Sequence, residues 1–125
     1  MIAVHKDRSI MENESCIFCS IGKKAIPSEL VYEDSEVFAV KDIHPQAPVH
    51  ILIIPSEHIS ELSEEPPSTF NIFPKLVSVA VSIAKTLGVT NSGYRLVVNQ
   101  SRDAGQVIAH LHLHLLAGHR LKPMG

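Results

Sequence analysis

The stretch His110-Leu111-His112-Leu113-His114-Leu115-Leu116 decides how this chain folds and where its chemistry lies. Side chains of a strand alternate between the two faces of a sheet, so the three histidines would share one face, about 6.6–7 Å from neighbour to neighbour. The leucines would lie on the opposite face, in the core. Three imidazoles in a row on an otherwise apolar strand are poor for burial. The run therefore predicts a strand over 107–116 with one core face and one functional face.

Two kinds of chemistry use such a row of imidazoles. In the first, two or three imidazoles bind a catalytic zinc ion that activates water. In the second, one imidazole attacks an electrophile while the others position it and neutralise its charge. Neutral imidazole is a nucleophile at pH 7 because its ordinary pKa is about 6.5. The row alone leaves both possibilities open.

The other elements are predicted outward from this strand. We expect a short helix over 16–24, strands over 30–32, 37–40, 50–54 and 94–99, and a long helix over 68–87 that ends at Gly88. Pro74 predicts that the first turns of the long helix start late or kink. This order predicts an α+β fold with a mostly antiparallel five-stranded sheet, one long helix and one short helix.

The long helix carries two apolar stripes. One consists of Phe70, Phe73, Val77, Ala80, Ala84 and Leu87, and the other of Ile72, Leu76, Val79 and Ile83. A helix that is apolar on two sides is buried on two sides. One side can cover the sheet, and the other predicts the interface of a two-fold homodimer, with a thicker monomer core as the alternative.

Length and composition limit the classes of function. The chain has 125 residues, 45% of them hydrophobic, and a formal net charge of -2. This predicts one globular domain over 16–125 behind a loose tail over 1–15, without a general affinity for nucleic acid or anionic lipid. We find no signal-peptide pattern and no apolar stretch long enough to span a bilayer, so the expected location is the cytoplasm.

The segment before the histidine strand predicts a turn that suits phosphate. It runs Asp103-Ala104-Gly105-Gln106-Val107, and the glycine allows successive backbone N–H groups to point at one anion. Asn99, at the end of the preceding strand, could direct its amide to the same place. An ordinary hairpin connection is the alternative.

Cys16 and Cys19 are the only two cysteines, with two residues between them. Two thiolates can bind zinc but need two more ligands for a closed structural site. A redox dithiol and a chance pair are the alternatives.

Further segments share one pattern with the histidine run. They are Cys16-Ile-Phe-Cys19, Ile26-Pro27-Ser28, Val31-Tyr-Glu-Asp34, Asp42-Ile43, Pro45-Gln-Ala-Pro-Val-His50, Ile54-Pro55-x-x-His58-Ile59, Gly93-Tyr-Arg95 and Val97-Val-Asn99. In this order and spacing the chain resembles the histidine triad (HIT) superfamily, and within it the Hint branch of histidine triad nucleotide-binding proteins. The similarity covers Cys16 to Gly118.

The resemblance implies a hydrolase of purine nucleoside 5′-phosphoramidates and acyl-adenylates that releases an AMP-like product. It makes His112 the nucleophile toward the α-phosphorus, with His110, His114, His50 and Asn99 in the site. It places Asp42 on the ribose hydroxyls. It assigns the remaining nucleotide contacts to Ile17, Phe18, Ile21, Val40 and Leu52 around the base, and to Gly105, Gln106 and Val107 in the loop.

Zinc-bearing relatives imply a structural zinc ion on Cys16, Cys19, His58 and His110. Two departures from the Hint pattern stand out. Val107 occupies a position that is usually Ser, which removes a hydroxyl beside the reacting phosphate. The C-terminal segment 119–125 also lacks the usual Trp. A dinucleoside polyphosphate hydrolase and a nucleotide-binding scaffold dimer with little turnover are the alternative functions.

Overall fold

The structure is a computed structural model that describes residues 16–63 and 67–124. The predicted tail over 1–15 lies outside the described residues. In chain order the elements are α1 (Ile17–Gly22), β1 (Leu30–Glu33), β2 (Val37–Lys41), β3 (Val49–Pro55), α2 (Ser68–Thr86), β4 (Tyr94–Val97), a 3₁₀ turn (Arg102–Ala104) and β5 (Leu113–Ala117).

The five strands form one sheet in the order β1-β2-β3-β5-β4, and all neighbouring strands are antiparallel. This confirms the predicted α+β class with one long helix and one short helix. Among the described residues, no helix combines the length and the apolar character that crossing a bilayer requires.

One face of the sheet packs under α2 and forms the main core. Alternate residues of the strands point to this face, as the period of two requires. They include Val37, Ala39, Ile51, Ile53, Leu113, Leu115 and Ala117. Leu111, which precedes β5, lies in the same core. The predicted division of leucines and histidines between the two faces is therefore confirmed.

Helix α2 runs from Ser68 to Thr86 and continues through Pro74, without the late start that the proline predicted. Its predicted end is confirmed, because Gly88 has φ +74° and the N–H of Val89 donates to the Ala84 carbonyl. The core-facing side combines members of both predicted stripes, namely Leu76, Val79, Ala80, Ile83 and Ala84. The residues on the other side are considered below with the whole molecule.

The hairpin of β1 and β2 is joined to α2 through Asp34. Its Oδ1 accepts hydrogen bonds from the N–H groups of Glu36 and Val37, at 2.7 and 2.8 Å. Its Oδ2 accepts from the Tyr32 hydroxyl at 2.5 Å and lies 3.0 Å from Lys75 Nζ on the helix. These donors, the Tyr32 hydroxyl first, hold the pKa of the Asp34 carboxyl well below its usual range.

The strand predicted over 107–116 is wrong at its start, since β5 begins only at Leu113. Its ladder with β3 begins at the pair Ile53↔Leu113. Farther along β3, the Pro55 carbonyl accepts a hydrogen bond from the His110 ring at 2.9 Å. Proline also has no N–H that could donate a hydrogen bond to a neighbouring strand. Strand β4 also ends earlier than predicted, at Val97 and not at Asn99. Val97 pairs with His114, and because β5 begins at Leu113, the residues after Val97 soon have no strand to pair with.

Candidate active site

The histidine run enters the site from a bent segment that leads into β5. Only His114 lies in the strand, and His110 and His112 precede it. All three rings lie on the sheet face opposite α2, where Phe18 of α1 packs edge-on against His110 and His112. The three rings have different neighbours: His110 faces the two cysteines, whereas the ring centroids of His112 and His114 lie 4.9 Å apart.

His112 is held in one tautomer. Its Nδ1–H donates to the backbone carbonyl of His110 at 2.7 Å, so a neutral ring has its lone pair on Nε2. Burial lowers the pKa of this imidazole, which favours the neutral form. His112 thus presents an unprotonated nitrogen whose direction is set by the backbone.

His50 and His114 form a hydrogen-bonded pair across the β3–β5 ladder. The N–H of Gln46 donates to His50 Nδ1 at 3.1 Å, so the His50 proton must lie on Nε2. That nitrogen lies 3.0 Å from His114 Nδ1 and 3.4 Å from Asp42 Oδ2. Burial, followed by the neighbouring His112 and His50, lowers the pKa of His114 to about 4. Both rings are neutral near pH 7.

The geometry of this trio disfavours a metal ion. Ligand atoms of Asp42, His50 and His114 lie within 4.8 Å of one another. A cation on His50 Nε2 would move the ring proton to Nδ1, where it would face the N–H of Gln46. Two donors would then oppose each other, so we interpret the trio as a hydrogen-bonded chain.

The loop before the histidine run uses most of its polar groups internally. The N–H of Gly105 donates to the Arg102 carbonyl, and that of Gln106 to the Ser101 carbonyl. The Gln106 side chain bonds to Ser101 and to the carbonyls of Ser60 and Ile108. The expected row of free N–H groups is thus not formed by Gly105 and Gln106, because these groups close the turn. The N–H of the next residue, Val107, forms no hydrogen bond with another described residue.

A cavity of about 530 Å³ opens beside His50 and His114. Asn99, which the sequence analysis assigned to the site, lines this cavity together with residues that the sequence analysis did not assign to it. These are Gln46, Arg95, Leu96, Val97, Val98, Leu116, Pro123 and Met124.

The residues expected around a base divide into two groups. Phe18, Val40 and Leu52 are buried together in a second apolar cluster, against which Ile21 packs. Ile17, in contrast, is exposed at the start of α1. Phe18 packs edge-on against His112, with the two ring centroids 5.0 Å apart.

The four predicted metal ligands converge on one point. The atoms Cys16 Sγ, Cys19 Sγ, His58 Nδ1 and His110 Nδ1 all lie within 4.8 Å of one another. Three of the S···N distances are 3.1, 3.3 and 3.6 Å. Ligands on a tetrahedral zinc ion, with Zn–S about 2.3 Å and Zn–N about 2.0 Å, would lie about 3.5 Å apart. The cluster is therefore close enough to hold a metal ion.

The outer contacts of the cluster orient its imidazoles for a metal. His110 donates its Nε2–H to the Pro55 carbonyl and keeps Nδ1 bare toward the thiols. His58 Nε2 lies 3.4 Å from Ser60 Oγ. A backbone carbonyl is a usual partner behind a metal-bound histidine. Sequence reasoning missed Pro55 and the N–H of Gln46, because backbone groups leave no signal in residue type.

The protein is thus a small α+β protein with an antiparallel five-stranded sheet. A cluster of histidines lies on the sheet face opposite α2, and imidazoles serve in proteins as nucleophiles, bases and metal ligands. The model of the HIT domain family matches residues 23–121. The chain belongs to the HIT domain family.

Similar proteins agree with this assignment. The purine nucleoside phosphoramidase of Escherichia coli (strain K12) is 42% identical over 111 residues, which cover 89% of this chain and 93% of the relative. A histidine triad protein from Clostridium difficile superposes with a TM-score of 0.83 at 41% identity, covering 88% and 96% of the two chains. A HIT family hydrolase from Legionella pneumophila superposes with a TM-score of 0.82 at 38% identity, covering 86% and 96%. These relatives confirm the prediction of a hydrolase.

Proposed function

We propose that the protein hydrolyses purine nucleoside 5′-phosphoramidates, with His112 as the nucleophile. The observation that carries this proposal is the tautomer of His112. Its Nδ1–H is fixed on the His110 carbonyl, and its Nε2 lone pair is free in a buried, neutral ring. The 42% identity to a purine nucleoside phosphoramidase over 93% of that relative supports the substrate class.

The reaction proceeds in two balanced steps. His112 Nε2 forms a bond to the α-phosphorus while the P–N bond to the amine breaks, and the amine takes up one proton from solvent water as it leaves. Water then attacks the phosphorus of the nucleotidyl-histidine, the bond from phosphorus to His112 Nε2 breaks, and the proton of the attacking water returns to solvent. The products are the amine, a nucleoside 5′-monophosphate and the regenerated imidazole. Donors arranged beforehand stabilise the charge that spreads over the phosphoryl oxygens. The candidates are His114 Nε2–H, the Asn99 amide and the N–H of Val107.

Acyl-adenylates fit the same site, with a carboxylate as the leaving group. That group needs less protonation than an amine.

The absence of a side-chain hydroxyl at Val107 gives a specific reason for a second candidate function, a nucleotide-binding dimer of the Hint type with little turnover.

Asp42 is assigned to the ribose hydroxyls, and the cluster around Phe18 to the purine base. Asp42 Oδ1 accepts the N–H of His44 at 2.8 Å, which leaves Oδ2 for other donors. A carboxylate oxygen accepts hydroxyl hydrogen bonds well.

The cysteine–histidine cluster is assigned to a structural zinc ion. Two thiolates and two imidazoles with oriented outer contacts suit a closed, four-coordinate site. Zinc there would join α1 to the histidine run and supply rigidity, with His110 as a ligand whose carbonyl positions His112.

The experiment is steady-state turnover of adenosine 5′-phosphoramidate by the wild type and by His112→Asn. We expect the variant to lose at least about 10³-fold in kcat while it keeps its fold and its affinity for AMP. His119→Asn is the matched control, because His119 is exposed and outside the cluster. Activity of His112→Asn within about tenfold of the wild type would exclude His112 as the nucleophile.

A further inference from the structure

We propose that Asp42 is a positioning residue that couples the ribose of a bound nucleotide to the phosphate-facing nitrogen of His114, through His50. Ribose hydroxyls on the Asp42 carboxylate would free the His50 Nε2–H to donate wholly to His114 Nδ1. This inference rests on the proposed function, since it takes the ribose to be the ligand of Asp42.

The proton of His50 has two competing acceptors. The N–H of Gln46 fixes that proton on Nε2, as described above. His114 Nδ1 lies 3.0 Å away and Asp42 Oδ2 lies 3.4 Å away. Because His50 is buried, water does not compete with these two acceptors for the proton. One N–H cannot point along both directions at once, and its orientation depends on how strongly each acceptor attracts it.

The state of Asp42 decides this competition. Its Oδ1 is engaged by the N–H of His44, so Oδ2 is the oxygen that faces the histidines. An ionised carboxylate is a stronger acceptor than a neutral imidazole. Hydroxyl donors on Oδ2 would use that acceptor capacity and weaken its attraction for the His50 proton. The His50 Nε2–H would then donate to His114 Nδ1 alone, and this hydrogen bond would become stronger.

The His50–His114 hydrogen bond also determines the protonation of the other ring nitrogen of His114, Nε2. When Nδ1 accepts from His50, the proton of the neutral His114 ring must lie on Nε2. This Nε2 is buried and has no hydrogen-bond partner in the described part of the chain. A buried donor without a partner is unfavourable unless a ligand supplies an acceptor. A phosphoryl oxygen of the substrate is such an acceptor, so ribose binding would prepare the donor for the phosphate.

A nitrogen-15 NMR experiment on the histidine rings tests the coupling without turnover. The probes are adenosine, which has ribose hydroxyls but no phosphate, and 2′,3′-dideoxyadenosine, which has the same base without the hydroxyls. We expect adenosine to shift the His114 nitrogens toward the Nε2–H tautomer, and dideoxyadenosine to leave them in place. Asp42→Asn should abolish the difference between the two probes. Equal shifts with both nucleosides in the wild type would overturn the proposal.

Kinetics give an independent readout. With adenosine and 2′,3′-dideoxyadenosine 5′-phosphoramidates, we expect the loss of the hydroxyls to lower kcat of the wild type by roughly tenfold in addition to raising KM. In Asp42→Asn the two substrates should share one kcat. An effect of the hydroxyls on KM alone would overturn the coupling and leave the proposed function intact. If neither substrate is hydrolysed but adenosine still shifts His114, the coupling stands and the proposed function fails.

Discussion

Val107 is 90% exposed and lies three residues before His110. Exposed positions of this kind tolerate substitution with changes in the free energy of unfolding of about 0.5 kcal/mol or less. The side chain can therefore be changed without disturbing the core. This makes Val107 a suitable position for testing whether a hydroxyl there serves the proposed reaction.

We expect Val107→Ser to raise the rate on phosphoramidates with poor amine leaving groups more than the rate on acyl-adenylates. An amine leaves as a neutral group only after protonation, and general acid assistance typically contributes about 10²–10⁴-fold. Steady-state rates on both substrates measure the effect, with Val107→Ala as the control for lost bulk. An equal rise on both substrates would show that the hydroxyl does not serve the leaving group.

At the scale of elements, the cysteine–histidine cluster brings the start of α1 close to distant parts of the chain. Cys16 and Cys19 meet His58, which follows β3, and His110, which precedes β5. We expect purified protein to contain about one zinc ion per chain, by mass spectrometry of the metal. Chelation or Cys19→Ser should lower Tm by roughly 5–10 °C, since metal binding contributes folding free energy.

Lys23→Ser is the control for this effect, because Lys23 is an exposed residue just after α1. It should leave both the zinc content and Tm nearly unchanged. Protein that is free of metal as purified, and whose Tm chelators do not alter, would contradict the structural zinc.

The junction of the β1–β2 turn and α2 depends on an ionised Asp34. Because its pKa is lower in the folded protein, the carboxylate contributes stability above the unfolded pKa of about 3.9. That contribution is lost as the pH falls from this value toward the lower pKa of the folded state. We expect Asp34→Asn to reduce the free energy of unfolding at pH 7 by about 1–2 kcal/mol, since hydrogen bonds to the charge are lost.

Urea unfolding at pH 7, 5 and 3 checks this expectation. The difference between wild type and Asp34→Asn should be similar at the two higher pH values and smaller at pH 3. Glu33→Gln is the control, because the ion pair of Glu33 with Lys24 is on the surface and contributes little. A difference that does not change with pH would mean that the charge of Asp34 does not stabilise the fold.

At the scale of the whole molecule, the outer side of α2 carries exposed apolar residues. Leu76, Val79 and Ile83 are buried in the chain's own core, so they cannot form the interface that was considered for them. Phe70 and Val81 are 56% and 45% exposed. This outward side is the surface that we propose for a two-fold dimer of antiparallel helices.

We expect light scattering to give the mass of a dimer for the wild type and of a monomer for Val81→Asp. A charge placed in the interface would be buried without a partner, whereas the same charge on a monomer surface would be solvated. Ser82→Asp adds the same charge at the next exposed position of α2 and serves as the control. A wild type that is monomeric at high concentration would exclude this dimer.

The order and type of the elements could be predicted from the sequence because they depend on local patterns. The alternation of leucine and histidine assigned each side chain to a face, and Gly88 ended α2 where its positive φ requires a glycine. The spacing of Cys16 and Cys19 suggested a metal pair, but the other two proposed ligands, His58 and His110, and the proposed nucleophile, His112, came only from the resemblance to a known family.

The tertiary structure alone decided where β5 begins and which proton each imidazole carries. The start of β5 depends on Pro55, whose carbonyl accepts a hydrogen bond from the Nε2–H of the His110 ring. The tautomer of His50 depends on one backbone N–H of Gln46, and the pairing of Leu52 with His114 brings β3 and β5 into the register that joins the two histidines. Such contacts join residues far apart in the chain through groups common to every residue, so no pattern of residue types encodes them.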